Sequence, residues 1–69
     1  MNMLKNIRLG KKMTQHELAM ETGLTHTSIS RYESGKRTLS VETAKKLATA
    51  LGVEWTDIFE GESHEETDL

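Results

Sequence analysis

Residues 14–37, TQHELAMETGLTHTSISRYESGKR, carry start and stop signals for two short helices, and no other stretch limits the fold as tightly. Gln15, Leu18, Ala19 and Thr22 recur at i, i+3, i+4 and i+7 and so share one helix face. Thr14 stands before them with Glu17 three residues later, so hydroxyl and carboxylate can cap each other's backbone N–H groups and start a helix near Gln15. Gly23 follows directly, and glycine enters the left-handed conformation of a helix C-cap without steric cost. Thr25 supplies a second N-cap hydroxyl, which places a second helix over residues 26–34. Ile29 and Tyr32 share its inner face. His26, Thr27, Ser30, Arg31 and Ser34 fall on the outer one, which is polar and almost free of acid.

Helix, short glycine turn, helix is the plan in which the second helix enters the DNA major groove with its N-terminal residues at base edges. The order Gln15, Ala19, Gly23, Ile29, Tyr32, Glu33, Gly35 resembles the Cro/CI-type (XRE) family of phage repressors and bacterial regulators, over residues 4–59. The resemblance implies an all-α, compact five-helix lambda-repressor-like DNA-binding domain with the helix-turn-helix as helices 2 and 3. By correspondence with the family's reading positions, His26, Thr27 and Arg31, with Ser30 next, are expected at base edges. Arg31 can bridge guanine O6 and N7, and the shorter side chains can donate or accept at single positions. Gln15, Thr25 and Ser28, near helix N-termini, resemble the family's phosphate clamp, and Lys36 and Arg37 lie in a loop that the family sets against the DNA backbone. Arg8 and Glu33 resemble an internal ion pair of the family, so Arg8 is assigned a structural role. Lys12 occupies a turn where family members often have glycine; it must adopt the turn conformation or the turn must differ.

Elsewhere the pattern is simpler. Residues 1–12 read as a first helix, with Leu4 and Ile7 on one face and Gly10 lowering its propensity by about 1 kcal/mol relative to alanine. Ser40 caps a helix whose stripe is Val41, Ala44, Leu47, Ala48 and Leu51, ended by Gly52, with Glu42 and Lys46 four apart on its outside. Val53, Trp55, Ile58 and Phe59 gather into a last short helix over residues 55–59. In the family such a helix closes the core and often contributes to a dimer interface, which makes Trp55, Ile58 and Phe59 candidates for homodimer contacts.

A chain of 69 residues with 35% hydrophobic content supports one small core. A domain of this size buries roughly 60% of its unfolded surface, which leaves no room for a deep catalytic cavity. With no cysteine there is neither disulfide framework nor thiolate zinc site, in keeping with a reducing cytoplasm, and no apolar run nears the roughly 20 residues of a membrane span. His16, His26 and His64 lack metal-ligand spacing, and no nucleophile motif or phosphate-cradling loop is present, so neither enzyme activity nor a cofactor is expected.

The net charge of −2 hides a strong polarity. Residues 1–53 hold all nine Lys and Arg against four acids, a surplus of +5, whereas residues 54–69 hold seven acids and neither Lys nor Arg. The expected organisation is a helix-turn-helix domain over residues 1–60 and an acidic, disordered tail over 61–69. The function implied is a DNA-binding transcription regulator, a repressor bound as a dimer to a pseudo-palindromic operator on double-stranded DNA. The alternative is a protein-interaction module on the same fold, such as an antirepressor or antitoxin, which the acidic end favours.

Overall fold

A computed structural model describes residues 2–59, in which every regular element is a helix: α1 Leu4–Gly10, α2 Gln15–Thr22, α3 His26–Ser34, α4 Val41–Leu51 and α5 Trp55–Ile58. The acidic tail expected over residues 61–69 lies outside the described residues.

Side chains that cap the helices set their ends. Thr14 Oγ1 accepts from Glu17 N at 3.0 Å while Glu17 Oε1 accepts from Thr14 N at 2.8 Å, so the reciprocal cap starts α2 where the sequence places it. Thr25 Oγ1 accepts from Ser28 N at 3.0 Å and Ser40 Oγ from Thr43 N at 3.1 Å, starting α3 and α4. Gly23 closes α2 with φ +75°, and Leu24 N then donates to Ala19 O at 3.1 Å, which turns the chain into α3. After α1 the same left-handed conformation falls on Lys12, at φ +59°. Lys12 therefore does adopt the left-handed turn conformation, and its Cβ makes that costly.

The first helix is shorter than the sequence suggests. Asn2 Oδ1 accepts from Leu4 N at 3.1 Å and its Nδ2 donates to Tyr32 O at 3.1 Å, so the start of the chain is tied across to α3 instead of continuing the helix. Met3 N donates to Ile58 O at 2.8 Å, joining the start of α1 to the end of α5.

The core is one cluster drawn from all five helices. Leu4, Leu18, Ile29, Leu47 and Ile58 have no exposed surface, and Ala19, Tyr32, Leu39, Ala44, Ala48 and Leu51 are buried around them. Small Ala19 lets α2 approach α3 beside Ile29, and α4 packs on both α2 and α5. Burying each large aliphatic side chain contributes roughly 1.5–3 kcal/mol, offset by the conformational entropy of ordering the chain.

Three expectations for the fourth and fifth helices need correction. Val41 is 47% exposed rather than core: it begins α4, one turn beyond Ala44, and faces an open concavity with Leu39, Trp55 and Phe59. Ile58, expected with Trp55 and Phe59 at a dimer interface, is wholly buried in its own domain, in the core cluster against which those two rings pack. Glu42 and Lys46 form no ion pair; among the described residues that interaction belongs to Arg8 and Glu33. Trp55 is half-buried at the edge of the core, with its ring edge-on to Phe59 at 6.0 Å and Lys45 Nζ 5.7 Å from its centroid.

Candidate nucleic-acid interface

The second helix of the pair has two chemically distinct sides, and packing decides which is which. Ile29, Tyr32 and Glu33 are buried, so the residues between them are turned outward. His26, Thr27 and Arg31 are exposed and Ser30 is half-buried; together with Ser34 and Lys36 they line one shallow groove along the helix. The four base-reading candidates are thus brought side by side. Glu33, the one acid of α3, is turned away from them.

That removal depends on Arg8. Its Nε donates to Glu33 Oε2 at 2.6 Å and its Nη2 to Oε1 at 3.1 Å, while Nη1 donates to Met13 O at 2.7 Å. Each nitrogen of the guanidinium thus has an internal partner, and the side chain is only 7% exposed, so Arg8 is committed to holding Glu33 and the Met13 carbonyl.

At the start of α3, the Thr25 hydroxyl accepts from Ser28 N and donates to Ser28 Oγ at 3.0 Å. Arg37 Nη1 reaches the same Ser28 Oγ at 3.5 Å, and its guanidinium carbon sits 5.4 Å from the centroid of the Tyr32 ring. Ser28 Oγ thus stands between the Thr25 hydroxyl and the Arg37 guanidinium at the start of α3. At the other end, Lys36 N and Arg37 N both donate to Arg31 O, at 3.0 and 3.2 Å. The loop after Gly35 is thereby folded back on the last turn of α3, where the negative end of the helix dipole favours its two cations.

Gln15 sits apart from this group. It is half-buried, and its Nε2 donates to Glu33 Oε1 at 2.9 Å. Its other edge borders an open concavity with Lys12, His16 and His26. The bond to Glu33 spans 18 positions in sequence and has no local signature, and the Arg37–Tyr32 stack likewise carries none. Among the described residues no three His, Cys, Asp or Glu side chains gather to hold a metal ion, and no helix is long and apolar enough to cross a membrane.

The outer surface of α3 therefore offers hydrogen-bond donors and acceptors in its first two turns and cations beyond them. Such an order suits a ligand that presents polar edges in a groove flanked by anions.

Comparison with known proteins agrees with this arrangement. The helix-turn-helix family model matches residues 4–58. Control protein C.BamHI of Bacillus amyloliquefaciens is 40% identical over 58 residues, which cover 83% of this chain and 72% of that one. An uncharacterized HTH-type transcriptional regulator, RghRB of Bacillus subtilis strain 168, is 36% identical over 62 residues, 88% of this chain and 45% of its own length. The HTH-type transcriptional activator BcrR of Enterococcus faecalis is 34% identical over 59 residues, 86% of this chain and 29% of its own. The chain thus spans less than half the length of two of these three relatives.

Proposed function

The chain belongs to the XRE-type helix-turn-helix family, and from that premise we propose that it is a sequence-specific DNA-binding transcription regulator of the cytoplasm, acting as a repressor. In this reading α3 lies in the major groove, with His26, Thr27, Ser30 and Arg31 at base edges. Gln15, Thr25, Ser28, Lys36 and Arg37 hold the flanking phosphates.

One observation carries the proposal: the outer side of α3 has no acid, because Glu33 is turned into the domain and neutralised there by Arg8. A phosphate backbone approaching that side meets Arg31, Lys36 and Arg37 and no opposing carboxylate from the helix itself. The charge of residues 1–53 supports the same orientation.

A single short helix reads few base pairs, so useful affinity calls for two copies. A homodimer on a pseudo-palindrome sets the two reading helices about 34 Å apart, one turn of DNA. The half-buried rings of Trp55 and Phe59, with exposed Val41 beside them, are the apolar surface such a dimer would cover. Repression then follows from occupying an operator and excluding polymerase.

Binding-site selection from random duplex DNA, repeated across a salt series, tests the proposal. An enriched palindrome bound with steep salt dependence supports it. Absence of enrichment, with weak binding even at low salt, would favour the alternative reading as a protein-interaction module, to which the acid excess of residues 54–69 points.

A further inference from the structure

Gln15 is bonded to the buried ion pair and also borders the surface next to the reading helix. Its Nε2 donates to Glu33 Oε1 at 2.9 Å, the oxygen that also accepts from Arg8 Nη2 at 3.1 Å. A carboxylate can only accept, so the amide must present its nitrogen to Glu33 and turn its carbonyl oxygen away. The second hydrogen on Nε2 and the oxygen Oε1 have no partner among the described residues, and Gln15 lines an open concavity that His26 also lines. Glu33 is itself held in place, because Arg8 Nε fixes its other oxygen at 2.6 Å and Met13 O fixes Arg8 in turn.

We infer that Glu33 is a positioning residue for DNA binding: through its bond to Gln15 it aims an amide N–H at a backbone phosphate beside His26. The inference rests on the reading of α3's outer side as a DNA surface. An unheld glutamine samples many rotamers and loses that freedom on meeting a phosphate; here the loss is taken during folding, so the contact forms at lower entropic cost. The donor is neutral and displaces no counterion charge. Its phosphate contact therefore raises affinity for every sequence alike and leaves the salt dependence unchanged, unlike a contact from Lys36 or Arg37.

The test measures affinity for a random-sequence duplex of about 20 base pairs, long enough for one half-site and its flanks, with wild type, Gln15→Met, Glu33→Asp and the double variant. Aspartate keeps a negative charge opposite Arg8 but withdraws the carboxylate from Gln15. Each single variant should bind about tenfold more weakly at an unchanged salt slope, and the double variant no more weakly than Gln15→Met alone. Alongside, the two side-chain N–H signals of Gln15 should be separate and sharp in the free wild-type protein and should move when the duplex is added.

A double variant weakened by the product of the two single losses would show that Glu33 acts only through the fold, and would overturn the inference. Gln15 amide signals that stay fixed while the backbone signal of His26 moves would do the same. They would decide the matter alone should Glu33→Asp fail to fold. A wild-type protein with no affinity for the duplex at low salt is a different failure: the DNA reading itself falls, and there is no affinity for a variant to lower.

Discussion

Arg8 and Glu33 meet edge to edge across 25 positions of sequence, with side chains 7% and 4% exposed. Removing one partner leaves the other charge buried without compensation. Arg8→Ala is expected to lower stability by about 3–5 kcal/mol, read from urea unfolding. Replacing both residues by apolar ones of similar volume should cost less than either single truncation, and an unchanged melting temperature for Arg8→Ala would contradict the account.

Lys12 and Gly23 share a left-handed backbone with opposite suitability for it. Lys12→Gly should stabilise the domain by about 1 kcal/mol, since the strain removed exceeds the added freedom of the unfolded chain. Gly23→Ala should destabilise by about 1–2 kcal/mol; beyond its own chain neighbours a Cβ there would meet no atom within 4 Å, so the cost is conformational. Urea midpoints of the two variants should move in opposite directions.

The hydroxyl of Thr25 both caps α3 and orders Ser28. Thr25→Ala should cost about 1 kcal/mol of stability and weaken DNA binding, while Thr25→Ser preserves both. Equal behaviour of the two variants in thermal unfolding would show that the cap contributes nothing.

Arg31→Ala and Lys36→Ala separate reading from positioning. The first should leave the fold intact and relax selectivity at one base position, costing about 1–3 kcal/mol for a bidentate contact. The second should weaken all sequences alike and reduce the salt dependence by about one phosphate. Indistinguishable salt slopes and selected sequences for the two variants would remove the distinction.

Where a signal is local, the sequence already contained it. Thr14 with Glu17, Thr25, Ser40 and the glycine after α2 each act within a few residues of their own position, so the ends of α2 and α3 could be read directly. Helix periodicity identified Ala44, Leu47, Ala48 and Leu51 but placed Val41 in the core too, because a stripe does not tell where its packing partners end. Leu39 is buried from within a loop, where no periodicity marks it. The outward side of α3 followed from Ile29 and Tyr32. Gln15's bond to Glu33 could not be read, since it depends on how two helices meet rather than on either one.

The bond from Met3 N to Ile58 O has a consequence for how this domain can be used. It brings the first and last turns of the fold to one point, so anything attached at either end departs from the same place. A bridge of a few glycine and serine residues should join the two ends and permit new termini to be opened in the loop between α3 and α4. A permuted chain of that kind would keep its helices in place while changing the order in which they are synthesised. The domain can equally be inserted into a loop of a carrier protein, because its entry and exit lie side by side.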